Sequence, residues 1–323
     1  MVYRILSIDG GGIRGLVPAL VLAELEDRAK RPVADLFDLV AGTSTGALLA
    51  LALLRPGAGN RPQWSAQEVA VFYEARGPRI FARTPWRELR TLSGYLGPRY
   101  AARALEGELD ELFGDTMLSS ALCDVIVTSY DLRSRRPYLF TSDDVRASRT
   151  PDQPMRLVAR CSAAAPTYFA PGRLGDGADE GRWLVDGGVF ANNPAMSAYA
   201  AARQERPADE LVLMSVGTGA LTLDYATTRL RRGGALVWSR PLFTIVLDGQ
   251  EDVTDLQLRQ LVPDGRYYRF QADLEARSEH IDDTGSSNLR ALRDRGSRLI
   301  ERSSADLDAV VALLADAPEK ASL

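Results

Sequence analysis

The residue most suited to chemistry is Ser44, at the centre of Gly42-Thr43-Ser44-Thr45-Gly46, a G-x-S-x-G pentapeptide. Leu36-Phe37-Asp38-Leu39-Val40 before it is short and apolar enough for a buried strand, and Ala47 to Leu54 after it is a run of strong helix formers. Strand, sharp turn and helix make a nucleophile elbow, which lifts a serine hydroxyl clear of a sheet for attack on a carbonyl. Side chains at Gly42 and Gly46 would crowd such a turn. The attack also needs a base to take the hydroxyl proton and donors to hold the oxyanion.

The donors have a candidate upstream. Asp9-Gly10-Gly11-Gly12-Ile13-Arg14-Gly15 runs into an apolar-periodic helix from Leu16 to Arg28. A glycine loop entering a helix N-terminus presents unpaired N–H groups to an anion. Gly10, Gly12 and Gly15 also fit G-x-G-x-x-G, so a nucleotide-binding module that cradles phosphate is the rival reading. Asp9 lowers that rival, because a negative charge beside the loop does nothing for a dinucleotide, whereas a serine elbow requires an oxyanion hole. Gly10, Gly11 and Gly12 are therefore read as donors, with Arg14 as a brace or anion contact.

The base is the harder question. The chain has one histidine, His280, in Arg277-Ser278-Glu279-His280-Ile281-Asp282-Asp283, which reads as an exposed turn. His280 could fold back as a triad member; otherwise the base is a carboxylate. Asp186 is the best placed, ending an apolar strand at Trp183-Leu184-Val185 and followed by Gly187 and Gly188, which permit close approach. Asp9 competes, but its charge beside the donors would oppose an oxyanion. An ordinary aspartate, near pKa ~3.9, is a weak base, so burial must raise it.

These residues need a frame. Strands are expected at residues 3–8, 36–40, 123–130, 137–141, 183–185, 211–216 and 267–270, with helices at 16–28, 47–54, 67–76, 101–113, 153–165, from Asn193-Pro194 onward, 235–256 with a kink or break near Pro241, 289–293 and 297–314. Strands alternating with helices predict an α/β fold with a mostly parallel central sheet covered on both faces and the motif loops at its carboxyl edge. The main domain is expected over residues 1–300, with residues 301–323 a C-terminal helix and tail. Residues 77–100 carry aromatic and apolar residues among Arg79, Arg83, Arg87, Arg90 and Arg99. They read as a flap for an anionic lipid surface, or as a loop packing its aromatics on the core.

Composition narrows the class. With 323 residues, 46% hydrophobic and 25% charged, the chain is globular, and a net charge of -4 argues against nucleic-acid binding. Cys123 and Cys161, the two cysteines, are too few for a disulfide scaffold and point to a reducing, cytoplasmic setting. The start lacks the pattern of a signal peptide, and Ala47–Leu54, the longest apolar run, is too short to span a bilayer.

Taken together, Asp9–Gly15, Gly42–Gly46 and Asp186-Gly187-Gly188 resemble the patatin-like phospholipases. So do Asn192-Asn193-Pro194, Ser215–Gly219, Gly97-Pro98-Arg99-Tyr100, and Asp282-Asp283 with Asn288-Leu289. The resemblance implies a three-layer α/β/α fold and metal-free, cofactor-free hydrolysis of phospholipid acyl esters. It makes Ser44 the nucleophile, Asp186 its base, and Gly10, Gly11, Gly12 and Arg14 the oxyanion loop. It also implies peripheral contact with a phospholipid membrane, the inner membrane in a bacterium; lysophospholipase or general esterase activity is the nearby alternative. The layout further resembles bacterial members of phage defence that cyclic nucleotides switch on. That branch implies a nucleotide activator and a homo-oligomer, with Arg133, Arg135, Arg136 or Arg229, Arg231, Arg232 as phosphate holders. Solvated loops explain those arginines equally well.

Overall fold

The computed structural model describes residues 2–82, 97–175, 181–221, 227–274 and 280–315. Strand β1 (Val2–Ile8) leads through a 3-10 turn, Gly12–Gly15, into α1 (Leu16–Ala29), and a short α2 (Val33–Leu36) precedes β2 (Leu39–Thr43) and α3 (Thr45–Leu54). Helices α4 (Ala66–Ile80) and α5 (Ala102–Phe113) lead to the hairpin β3 (Asp124–Asp131) and β4 (Arg136–Thr141). Then come α6 (Ser142–Arg146), α7 (Met155–Ser162), β5 (Gly172–Arg173), β6 (Trp183–Asp186), α8 (Gly188–Ala191) and α9 (Ala195–Glu205). The remainder is β7 (Glu210–Val216), β8 (Ala220–Leu221), α10 (Thr227–Arg232), α11 (Ala235–Leu261), β9 (Tyr267–Phe270), β10 (Asp273–Leu274), α12 (Ser286–Arg302) and α13 (Ser304–Ala315).

Strands β3, β2, β1, β7 and β9 run parallel in that order, with β4 and β6 antiparallel to β3 and β5 antiparallel to β6. Two-residue periodicity divides the core between the sheet's faces. From β1, Leu6 and Ile8 join the layer of α1, α3, α4 and the C-terminal helices, while Tyr3 and Ile5 join the layer of α9 and the end of α11. This is the expected three-layer arrangement with a mostly parallel sheet. Among the described residues no helix is long and apolar enough to cross a membrane.

Several boundaries differ from expectation. Strand β2 starts at Leu39, because Val33–Leu36 closes a helical turn instead. Helix α4 starts one residue earlier than expected and runs on to Ile80. At its start the Ser65 hydroxyl and the Glu68 side chain each take the other residue's N–H, a capping box. Residues 77–80 of the expected flap are therefore helical, and its residues 83–96 lie outside the described residues. Helix α11 continues through residue 241 without a break. Helix α12 runs through residue 300, and Leu292, Leu299, Leu307, Val310 and Leu314 share one core with α1.

Candidate active site

Ser44 has φ 55° and ψ −119°, a conformation side chains rarely adopt, and α3 starts at the next residue. The turn is held open by the two glycines, though not by relieving Ser44 itself. A Cβ on Gly42 would lie 2.4 Å from the Gly46 carbonyl oxygen, and one on Gly46 would lie 2.1 Å from that of Ile8. The pair thus lets the elbow seat against itself and against the end of β1. Behind the serine, its N–H donates to the Ser162 hydroxyl at 2.9 Å, which donates to the Thr128 carbonyl at 2.7 Å. Ser162 escaped the sequence reading, since a lone serine at the end of a helix carries no signal.

Asp186, like Ser44, lies at the carboxyl end of a strand, as expected, but the two strands run in opposite directions. Strand β4 pairs with β3 from Ile126 to Asp131 on one side. On the other side β2 pairs as far as Thr43 opposite Thr128, and β6 takes over with Asp186 opposite Ser129. Strands β2 and β6 therefore meet end to end, carboxyl terminus to carboxyl terminus, along the same edge of β3. Their last residues are one position apart in its register, about 3.3 Å. Gly187 makes this possible, because a Cβ there would lie 2.0 Å from the Thr128 hydroxyl.

The Asp186 carboxyl is buried, lines the same pocket as Ser44, and accepts the Gly188 N–H at 2.8 Å. Burial pushes its pKa up to about 6, against the opposing influence of the Ser44 hydroxyl and the Gly188 N–H. No cation pairs with it among the described residues.

The glycine loop is fixed by residues distant in sequence. The Gly10 N–H donates to the Asn192 carbonyl at 3.0 Å, and the Gly10 carbonyl accepts the Thr218 hydroxyl at 2.7 Å and the Asn192 amide at 3.3 Å. Gly10 is thus a clamped residue, and its expected donor role is corrected: its N–H is already spent. Neither Gly11 nor Gly12 N–H has an acceptor among the described residues, and both residues line the same pocket as Ser44 and Asp186. Arg14 is buried outside that lining and braces the loop through Nε, 3.4 Å from the Gly11 carbonyl. Gly15 packs against the Thr45 hydroxyl, which is 2.5 Å from the Tyr73 hydroxyl.

Behind the loop lies a polar cluster that the sequence does not announce. Arg269 donates to Asp9 at 2.5 Å and to the Ser215 hydroxyl at 2.8 Å, with Glu251 at 3.6 Å. Glu251 in turn accepts from Asn192 at 2.5 Å and Gln271 at 2.9 Å. Burial first, then the charge of Asp9, raise the Glu251 carboxyl to about 8. Asp9 therefore turns away from the pocket toward a guanidinium.

The pocket and its solvent-open mouth together span about 770 Å³. Its wall is mostly apolar, including Leu48, Phe72, Phe81, Leu105, Phe169 and Ile281. Two segments that read as separate motifs meet to hold one side of it. Asp282 accepts from Arg99 at 2.7 Å and from Tyr100 at 2.5 Å, while the adjacent Ile281 carbonyl takes the Ile13 N–H at 2.9 Å. His280 is exposed and outside the pocket lining. Arg133, Arg135 and Arg136 are exposed around the β3–β4 turn, and Arg231 and Arg232 are exposed in α10. Cys161 is buried, its thiol pushed up to about 12 by desolvation, which keeps it unreactive.

Comparison with known proteins identifies the family. A sequence model of the Patatin-like phospholipase family matches residues 6–199. Patatin-like protein 1 of Oryza sativa subsp. indica is 30% identical over 334 residues, covering 92% of this chain and 80% of the relative. Patatin-like protein 2 of Arabidopsis thaliana is 33% identical over 337 residues, covering 92% and 83%. Patatin-07 of Solanum tuberosum is 31% identical over 331 residues, covering 92% and 83%. With Ser44, Asp186 and the glycine loop gathered at one pocket inside the matched segment, the chain belongs to the patatin-like phospholipase family.

Proposed function

We propose that the protein is a lipid acyl hydrolase that cleaves phospholipid acyl esters through a Ser44–Asp186 dyad. The observation that carries this reading is a serine on a strained backbone turn that shares an apolar pocket with a buried, cation-free carboxyl raised to about 6. Above that pKa the carboxylate takes the Ser44 proton as the hydroxyl oxygen attacks the ester carbonyl. The N–H groups of Gly11 and Gly12 hold the oxyanion, each such donor being worth roughly 3 kcal/mol. Collapse of the tetrahedral intermediate expels the lipid alcohol, which takes the proton back from Asp186. Water, deprotonated by Asp186, then releases the fatty acid and restores the serine. The apolar wall accepts the acyl chain and leaves the developing charge to the few polar groups at the head.

The apolar lining favours an acyl chain over a nucleotide, and the Gly10 N–H is not free for a phosphate. A fluorophosphonate probe should label the wild type at Ser44 and leave Ser44→Ala unlabelled. Lipid mass spectrometry after incubation with mixed phospholipids should show fatty acid and lysolipid from the wild type alone. An active, labelled Ser44→Ala protein would overturn the reading.

A further inference from the structure

Helix α11 is apolar on two opposite sides. Its inner side carries Leu247 and Leu258, both buried, with Leu247 in the pocket wall beside Asp186. On the same helix Gln250 accepts the Asn192 N–H at 3.2 Å and donates to the Val189 carbonyl at 3.2 Å, which ties the helix to the loop after Asp186. The outer side carries Trp238, Leu242, Ile245, Val246, Val253 and Leu256, each between 36% and 59% exposed. At helical spacing these six fall within one sector about 100° wide and about 27 Å long. Gly249 is the remaining residue of the sector between them, and no charge interrupts it. A contiguous exposed stripe of this kind marks an interaction surface.

We propose that this stripe is the surface by which the protein docks on a phospholipid bilayer, lying in the plane of the interface. The inference rests on the acyl-ester reading of the pocket. Three features select lipid as the occupant. The helix that bears the stripe also walls the pocket, so docking brings the bilayer within one helix diameter, about 10 Å, of the site. Trp238 lies at one end with its indole N–H donating to the Leu230 carbonyl at 3.1 Å, an apolar ring with a polar handle suited to a membrane interface. Arg231 and Arg232 are exposed beside that end and match the charge of lipid phosphates. The stripe thus does what the 77–100 flap was expected to do, from another part of the chain.

The test measures sedimentation of the full chain with vesicles of phosphatidylcholine alone and of equal parts phosphatidylcholine and phosphatidylglycerol. The double variant Leu242→Glu, Val246→Glu, at exposed positions, should bind either vesicle about tenfold more weakly or worse. Its hydrolysis of soluble p-nitrophenyl butyrate and its labelling at Ser44 should match the wild type, which shows that fold and site are intact. Arg231→Gln with Arg232→Gln should keep binding to phosphatidylcholine and lose the gain that phosphatidylglycerol gives. Undiminished sedimentation of the double glutamate variant overturns the proposal. So does a wild-type dimer by light scattering that the same variant dissociates, since a second copy would then cover the stripe. Stripe-dependent binding by a wild type that cleaves no ester would keep the docking surface and remove the catalytic reading. Ester cleavage with stripe-independent binding would do the reverse.

Discussion

Two aspartates end two strands of the same sheet, and each is followed by glycines. Asp9 and Asp186 are both buried, and burial pushes both carboxyls up. They differ in what stands opposite. Asp9 faces the Arg269 guanidinium at 2.5 Å, whereas Asp186 faces a serine hydroxyl and one N–H. A paired charge in a buried site holds structure, and its proton is out of play while the cation remains. A desolvated carboxyl without a cation sits near neutrality, where it can gain and lose a proton. Type, burial and flanking residues are shared, so the partner alone separates the brace from the proposed base.

The largest effect should come from Asp186→Asn, which keeps the shape and removes the proposed base. Its turnover of a soluble ester should fall by on the order of 10³-fold. Folding should not suffer. Between pH 3.8 and about 6 the folded protein holds a proton that the unfolded chain has released, so stability falls as pH rises through that window. The offset from 3.8 to about 6 corresponds to on the order of 3 kcal/mol. Above pH 6 the asparagine protein should therefore unfold in urea at a midpoint equal to or above that of the wild type. A lower midpoint would make Asp186 a brace like Asp9 and erase the contrast.

Arg269→Met attacks the other side of the comparison. It leaves Asp9 and Glu251 buried together without the cation between them, and should cost about 3–5 kcal/mol in chemical denaturation. Where the protein still folds, the loop at Gly10 loses its backing through Asn192. A variant as stable as the wild type would show that Arg269 does not hold the loop.

The two halves of this contrast were unequally legible in the sequence. Ser44, Gly42, Gly46 and Asp186 stand in short motifs, because a sharp turn imposes its requirements on immediate neighbours. The cluster behind them is assembled from β1, α11 and β9, and a single arginine among 39 basic residues carries no local pattern. Gly10 was misread for the same reason, since the use of its N–H depends on the Asn192 carbonyl, 182 positions away. Parallel strands were read from alternation with helices, but the end-to-end meeting of β2 and β6 follows from register, which composition does not encode. Gly97–Tyr100 and Asp282 were each visible, and their hydrogen bonds were not.

A pH profile sharpens the assignment of Asp186 further. With a pKa of about 6, the proposed base is a carboxylate above that value. The logarithm of kcat/KM for a soluble ester should climb by one for each pH step below 6 and level off above it. A profile flat down to pH 4.5 would mean that Asp186 is not the group that takes the proton.

That profile has a weakness, and the smallest predicted effect repairs it. A free imidazole titrates at about 6.5, so a limb near 6 is what a histidine base would also give. The chain has one histidine, which makes the ambiguity removable by a single change. His280 is exposed, lies outside the pocket lining, and contributes its backbone carbonyl to the Asp283 N–H at 3.1 Å, a bond that a side-chain substitution leaves in place. His280→Gln should therefore leave both kcat/KM and the position of the limb unchanged. If the limb vanishes with the imidazole, the proton belongs to His280, and Asp186 loses the role that set it apart from Asp9. If the limb stays, no imidazole remains in the chain to account for it, and a carboxyl raised by burial without a cation is the group left to carry it.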